Sequence, residues 1–431
     1  MNRVLLIACY FPPAGGVQVQ RALSFAKYLP ENKVHLHVLT TKNPAVSVYD
    51  PELIRQVPES VTVHRAWTLE PPFRFRKKVW KGLGAPQGER TVSGGLKRRI
   101  ARLLCPDPQV LWYPFAIREA AKIVERHAIE AVIVTAPPFS AFLIGNALKA
   151  AYPHLRLISE FRDEWLCYYV NEFAFRGDEY IRRRSAEIER ATVTASDRIV
   201  AVTQATLETI RSRYPEQPDS KFVLAPNGYD PETFARFTPR PHNTGKIVVT
   251  YTGTVYKPSS PAAYLDALDR LPEQLRQRFE TRFIGRVADE YDRGIFENRK
   301  SAVKLTGFVP QEEAIRQMEE TDYLLLPWSD HLNVPGKLYE YLAARKPILG
   351  LVRPGSDAER VLRQAGTARL ADGGDVTAIQ PLLEWIAQQP DASYGLRPDA
   401  NAIRRYERPR LAAEYANCIR ECVYGAAELA C

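Results

Sequence analysis

Asn333-Val334-Pro335-Gly336-Lys337-Leu338-Tyr339-Glu340-Tyr341-Leu342 places a cation and a carboxylate three residues apart at the start of a helical pattern. The apolar run Tyr323-Leu324-Leu325-Leu326-Pro327 precedes it, and Ile348-Leu349-Gly350-Leu351-Val352 follows it after Lys346-Pro347. That order reads as strand, loop, helix, strand. A proline near a helix start loses no hydrogen bond. The free N–H groups there receive an anion, and Lys337 adds charge. Glu340 lies near the same face. A carboxylate beside a phosphate site suits a diol such as a ribose. An ordinary βαβ crossover with a surface lysine and glutamate would carry the same residues.

In doubly wound sheets, ligands sit beyond the carboxyl ends of strands, so other strand ends are the places to search. After Val4-Leu5-Leu6-Ile7-Ala8 comes Tyr10-Phe11-Pro12-Pro13-Ala14-Gly15-Gly16. Paired glycines let backbone approach a ligand and present N–H groups to an oxyanion; they also make plain turns. The pattern is not GxGxxG, and no acidic residue follows at the dinucleotide spacing, which argues against a nicotinamide cofactor. Thr252-Gly253-Thr254-Val255-Tyr256-Lys257 and Gly285-Arg286 follow two further strands. Lys257, Arg286 and Lys337 thus offer cations at strand ends of one half, suited to a diphosphate. With no DxD and no clustered His or Asp for Mg²⁺, we expect no metal: cations and helix ends would stabilise the leaving group. Glu160-Phe161-Arg162-Asp163-Glu164-Trp165 follows another strand. Asp163 there is a candidate base or stabiliser of a cationic sugar ring, with Arg162 orienting it; a helix cap beside a packed Trp is the alternative. Ala136-Pro137-Pro138-Phe139-Ser140 would shape an acceptor pocket.

Strand and helix patterns alternate through the first half: strands at 4–8, 34–39, 131–135, 156–161 and 198–202, helices at 18–28, 116–127, 140–151 and 179–195. The pattern restarts after Pro226-Asn227-Gly228-Tyr229-Asp230 and the Pro-, His- and Asn-rich stretch 237–245, read as a linker. Strands at 247–251, 279–284, 303–306, 323–327 and 348–352 then alternate with helices at 262–271 and 311–320 and the helix of Lys337. This predicts an α/β fold with two doubly wound parallel sheets. One more amphipathic helix is expected over 404–424. The expected division is 1–235, 236–400 and a terminal segment 401–431.

A length of 431 residues, 45% hydrophobic, suits two soluble domains. Of the net charge of +9, much is local: Arg74, Arg76, Lys77, Lys78, Lys81, Arg90, Lys97, Arg98, Arg99 and Arg102 share one segment. With Phe73, Phe75, Trp80, Ile100 and Leu103 among them, residues 74–102 would meet an anionic membrane surface or lie as a solvated segment; no nucleic-acid partner is expected. The six cysteines form no CxxC pair, and reduced thiols in a cytoplasmic enzyme are expected. Cys418 and Cys422 fall on one helix face. Met1 to Ile7 is too short for a signal peptide.

Together these motifs resemble the GT-B glycosyltransferases of glycosyltransferase family 4. The resemblance rests on Phe11-Pro12-Pro13-Ala14-Gly15-Gly16, Phe161-Arg162-Asp163-Glu164-Trp165, Pro226-Asn227-Gly228-Tyr229-Asp230, Tyr251-Thr252-Gly253-Thr254, Thr306-Gly307-Phe308-Val309-Pro310 and Pro335-Gly336-Lys337-Leu338-Tyr339-Glu340-Tyr341. It implies two Rossmann-like domains facing a cleft, with the last helix crossing back to the first. It also implies retaining transfer from a nucleoside-diphosphate sugar, without metal or further cofactor, to a glycan or lipid-linked saccharide precursor. Cell-surface polysaccharide synthesis, on the cytoplasmic side or peripheral to the membrane, would be its setting. The implied donor residues are Gly15, Gly16, Thr254, Lys257, Arg286, Phe308, Val309, Lys337, Leu338 and Glu340. Arg162, Pro138 and Ser140 would stand on the acceptor side, and Asp163 near the anomeric carbon. Glu340 matches the second Glu of the family's Glu-x7-Glu pair, while Leu332 replaces the first, which in relatives contacts the sugar. The diphosphate loop has no Arg after Gly253. A non-catalytic partner protein, or a nucleotide-sugar epimerase using Asp163 and Glu164, are the competing readings.

Overall fold

The computed structural model describes residues 2–73, 95–167, 178–242, 245–288, 291–389 and 391–425. The chain forms two compact units, Met1–Pro226 with Pro409–Cys431, and Asn227–Arg408. The first boundary therefore falls before the stretch 237–245, and that stretch belongs to the second unit.

The first unit is built on a parallel sheet of β1 (Asn2–Ile7), β2 (Val34–Thr41), β3 (Thr62–Ala66), β4 (Ala131–Ala136), β5 (Arg156–Phe161), β6 (Arg198–Ala201) and β7 (Phe222–Leu224). Their order is β3-β2-β1-β4-β5-β6-β7, so the order reverses between β1 and β4. Strands covered on both faces read as continuous apolar runs. In β1, Val4 and Leu6 pack with Phe25 and Tyr28, while Leu5 and Ile7 pack with Ile123 and Val124 on the other face. The last helix, Arg408–Tyr424, adds Tyr415, Ile419 and Cys422 to the first of these clusters. Burial pushes the Cys418 and Cys422 thiols up to about 11 and about 12.

The helix expected over 404–424 is two helices, Ala400–Arg404 and Arg408–Tyr424. Pro409 has no N–H to give to a preceding carbonyl, so it is tolerated only in a first turn. The chain between the two helices pairs with Tyr229: the Tyr229 N–H donates to the Tyr406 carbonyl at 3.0 Å, and the Arg408 N–H to the Tyr229 carbonyl at 2.9 Å.

The second unit holds β8 (Ile247–Thr252), β9 (Phe279–Ile284), β10 (Ala302–Gly307), β11 (Tyr323–Trp328), β12 (Ile348–Val352) and β13 (Ala368–Asp372), ordered β10-β9-β8-β11-β12-β13. All pairings are parallel, and the order reverses between β8 and β11. The helix Asp357–Ala365, the helix Val376–Gln388 and β13 extend the series beyond β12, where the sequence reading stopped.

Of the basic segment, 74–94 lies outside the described residues. The part that follows is a helix, Gly95–Leu103. Arg98 and Arg102 reach Asp178 at 2.7 and 3.2 Å. Burial opposes ionisation of Asp178, but the two guanidiniums outweigh it and hold the carboxyl below its usual range. Asp178 in turn accepts from the Tyr180 N–H at 3.0 Å, capping the helix Glu179–Ala195. Among the described residues no helix is long and apolar enough to cross a membrane.

Arg21, on the helix Val17–Tyr28, ties the first unit together. It donates to Glu160 Oε1 at 3.0 and 2.8 Å and to the Pro226 and Ala225 carbonyls at 2.8 and 2.9 Å. Thr135 donates to the other Glu160 oxygen at 2.7 Å. The side chain of Glu160 has 0% exposure. Removing the partner of a buried charge costs about 3–5 kcal/mol, because the remaining ion is left uncompensated. Arg21→Met is therefore expected to lower denaturant stability by about that amount, and Glu160→Gln in the same chain to recover part of it. A loss under about 1 kcal/mol, typical of exposed pairs, would contradict the role given to this pair.

Candidate active site

In the second unit, four neighbouring strands deliver the candidate donor residues at their carboxyl ends. Gly253, Thr254 and Lys257 follow β8, Gly285 and Arg286 follow β9, Phe308 and Val309 follow β10, and Lys337 and Glu340 follow β11. Three of these turns are glycine turns with positive φ: 114° at Gly253, 133° at Gly285 and 76° at Gly307. They lie against one another. The Gly253 N–H donates to the Ile284 carbonyl at 2.7 Å, and the Gly285 N–H to the Gly307 carbonyl at 2.8 Å. A Cβ on Gly285 would stand 2.2 Å from the Gly253 carbonyl oxygen, so only glycine permits the approach.

Lys337 lies over this junction. Its ammonium is 3.0 Å from where a Gly253 Cβ would be and 3.7 Å from the centroid of the Tyr251 ring. It also hydrogen-bonds the Tyr251 hydroxyl, which donates in turn to the Thr254 carbonyl at 2.7 Å. Burial lowers the Lys337 pKa to about 7, against the opposing pull of Glu340. Burial raises that of Glu340, opposed by Arg408 and Lys337. Tyr341, on the same helix, accepts from the Thr252 N–H at 2.9 Å and fixes the end of β8. Tyr251 and Tyr341 hold the site's backbone, and the sequence reading gave them no role. Their signal was the fully apolar setting of a hydroxyl that must find a partner.

Gly336 begins the helix Gly336–Ala344, with Pro335 as the residue before it and no side-chain cap. The Leu338 side chain is wholly buried, and its N–H donates to the Pro335 carbonyl at 3.0 Å. Arg286 lies over the exposed Phe308 ring, its guanidinium carbon 4.7 Å from the centroid. Thr254 and Lys257 are exposed and Val309 half-buried. Leu332 is buried in a loop held by Asp330, whose carboxylate accepts from the Leu332 N–H at 2.8 Å. Asp330 also caps Asn333.

In the first unit, Gly15 and Gly16 lead from β1 into the helix Val17–Tyr28. The Gly15 N–H donates to the Val48 carbonyl at 2.9 Å, and a Cβ there would meet Val48 at 2.8 Å. Gly16 is exposed, has φ 85°, and opens the helix with no side-chain cap and no acid in the first turn. Its first N–H groups are a ready anion site. Arg162 turns inward. It donates to the Gln18 carbonyl at 2.8 Å, to that of Ala136 at 3.4 Å and to that of Pro137, so it ties the first turn of the helix Val17–Tyr28 to the end of β4. Burial lowers its pKa, against Asp163 and Glu160. Asp163 is half-buried beside it. Ser140 is buried, donating its hydroxyl to Asp107 at 2.6 Å and its N–H at 2.9 Å; Pro138 is buried as well. Glu164 is buried against Arg213 at 2.6 Å, and Arg213 also pairs with Glu189 at 2.8 Å.

A family model, Glycosyltransferase Family 4, matches residues 14–233, just over half of the 431-residue chain. The chain belongs to Glycosyltransferase Family 4. The probable glycosyltransferase WbjE of Pseudomonas aeruginosa is 22% identical over 236 residues, and the match covers 53% of this chain and 58% of that protein. Solved structures share the GT-B fold along the whole chain. HepE of Anabaena, solved with UDP and glucose, gives a TM-score of 0.64 at 13% identity, covering 98% of this chain and 100% of that one. WaaG, a glycosyltransferase involved in lipopolysaccharide biosynthesis, gives 0.60 at 14% identity, covering 98% and 100%. The family and the fold expected from the sequence are thus both met.

The lowered Lys337 pKa has a consequence for stability. The unfolded chain keeps this lysine near 10.4, so between about pH 7 and about pH 10 the unfolded state binds more protons. Stability from this group then rises with pH across that window. Urea unfolding of Lys337→Met is expected to lack this rise; an identical pH slope in both proteins would remove the desolvated amine from the account.

Proposed function

We propose that this chain is a retaining glycosyltransferase that moves a sugar from a nucleoside diphosphate to a hydroxyl of a glycan or lipid-linked saccharide in cell-surface polysaccharide synthesis. The observation that carries the reading is the set of cationic and backbone donors at the switch point of β8 and β11. Lys337 and the N-terminus of the helix Gly336–Ala344 would receive the diphosphate, and the glycine turns would leave room for it. Glu340, one turn along, would accept the ribose hydroxyls. Arg286 and Phe308 would form a cationic, aromatic edge for the base, with Val309 beside it. Thr254 and Lys257 would complete the diphosphate's surroundings. UDP in the HepE structure and the lipopolysaccharide role of WaaG agree with this assignment.

The leaving diphosphate oxygen would itself take the acceptor's proton. Asp163 would stabilise positive charge on the sugar ring, with no covalent bond to it. The donors of Arg162 that are engaged with backbone would then act through loop geometry, and Ser140 and Pro138 through the shape of the loop after β4. No metal is required by this scheme, because cations and helix-end N–H groups can neutralise a leaving diphosphate. Leu332 puts an apolar surface where relatives carry a sugar-facing carboxylate, which favours a donor sugar with fewer polar demands at that point. Residues 95–103, with Leu103 79% exposed, would continue the basic segment at a membrane surface.

Titration with UDP, GDP and ADP in the absence of metal is expected to raise thermal stability with one of them, since a ligand bound only by the folded state shifts the equilibrium. Glu340→Ala should weaken that nucleotide by about 2 kcal/mol, the value of charge-assisted hydrogen bonds. No shift with any nucleotide would bring forward a non-catalytic partner protein. Asp163→Asn should leave nucleotide affinity nearly intact and lower turnover with the matching donor sugar; normal turnover would return Asp163 to a structural role.

A further inference from the structure

Four of the seven histidines in the chain gather in one place in the first unit, away from the loops described above. His35 and His37 share a face of β2, His64 is on β3, and His127 ends the helix Tyr113–His127. That helix runs from β3 back to the start of β4, so its last residue lies toward the amino ends of the strands. The His37 ring is buried, and those of His64 and His127 are half-buried. Ring centroids are 4.3 Å apart for His37 and His127, 5.4 Å for His37 and His64, and 5.6 Å for His64 and His127.

One imidazole nitrogen from each of His37, His64 and His127 lies within 4.8 Å of the other two. His37 Nδ1 is already 3.1 Å from His64 Nε2. Zinc holds imidazole nitrogens at about 2.0–2.1 Å, which places tetrahedral neighbours roughly 3.3 Å from one another. Small side-chain rotations would therefore close the set. The ligands come from two adjacent strands and a packed helix, a rigid base on which a site can be held. His37 Nε2 is buried and has no hydrogen-bond partner among the described residues. A buried polar atom left unpaired is uncommon, and the described residues do not fill the hydrogen-bonding capacity of this cluster.

We propose that His37, His64 and His127 form a binding site for a divalent transition-metal ion of the zinc class, independent of sugar transfer. Three neutral imidazoles with one open position is a known zinc arrangement, the fourth place being taken by water or another ligand. Imidazole favours zinc, copper and nickel over magnesium or calcium, so the site would not take the cations usual at phosphates. His35, 4.9 Å from His37 ring to ring and exposed, lies close enough to join on repacking. Burial, then the charges of His127, His35 and His64, brings His37 down to about 4. Burial and His127 lower His64 as well, with Glu119 opposing and Arg126 adding. An ion there would tie β2, β3 and the helix Tyr113–His127 together.

The test uses the full chain, without a histidine tag and stripped by chelator. Zn²⁺ titrated calorimetrically should bind one to one. Co²⁺ should give the intense visible bands of a tetrahedral site with nitrogen ligands and no thiolate charge-transfer band. His64→Gln and His127→Gln should each weaken binding at least tenfold, as loss of a ligand exceeds the effect of losing an outer-shell partner. Their far-ultraviolet circular dichroism should match the parent. Absence of one-to-one binding, affinity unchanged in both variants, or a thiolate band that assigns the ion to cysteine would each overturn the proposal.

Discussion

Lys337 can stand over the end of β8 because nothing larger than hydrogen grows from the Gly253 α-carbon. That one approach sets the rest of the second unit's edge. Gly253 must turn with positive φ, and Gly285 must do the same to pass its carbonyl. Tyr251 is then left to receive the ammonium and to brace the Thr254 carbonyl. The amine is brought into low-dielectric surroundings with Glu340 as a partial counter-charge. An anion placed beside such an amine would favour its charged form and offset the desolvation. The doubly wound topology explains why these groups meet: the reversal between β8 and β11 sends the loops of neighbouring strands to opposite faces and leaves a crevice there.

The first unit solves a different problem. Its carboxyl edge carries charged groups, and most are consumed by structure. Arg21 neutralises Glu160 and holds the carbonyls of residues 225 and 226. Arg162 holds carbonyls of the helix Val17–Tyr28 and of the end of β4, and Arg213 serves Glu164 and Glu189 at once. Glu164 is thus a poor member of any epimerase pair. Asp163 is half-buried at this edge, beside the guanidinium of Arg162, whose position is fixed by backbone carbonyls. Buried ion pairs of this kind contribute little net stability relative to apolar packing, but they are costly to break, and so they set loop geometry.

Much of this was legible in the sequence. Parallel sheets covered on both faces need unbroken apolar strands, which is why β1, β4, β11 and β12 could be located. The Lys337 segment could be placed because strand, glycine and helix start follow one another within a few residues. β3 was not seen, because its polar residues Thr62, His64 and Arg65 break the apolar run. Nor was β7, with three residues. The helix Asp357–Ala365 did carry a start signal: Ser356 accepts from the Glu359 N–H three residues on, and Gly366 closes it in the left-handed conformation. Side-chain use was harder to read. Leu338 and Ser140 sit within functional-looking motifs, but burial and hydrogen bonding to Asp107 decide their roles. The histidine cluster could not be seen at all, because residues 37, 64 and 127 meet only through the packing of a helix on two strands.

In the proposed reading, the carboxyl ends of β8 and β11 receive a nucleoside diphosphate. The most direct measurement is a crystal structure of the chain with whichever of UDP, GDP or ADP stabilises it. Phosphate oxygens are expected within hydrogen-bonding distance of Lys337 Nζ, and ribose hydroxyls on Glu340. A nucleotide seated elsewhere, with Lys337 still turned to Tyr251 and Glu340 contacting no ligand atom, would contradict it.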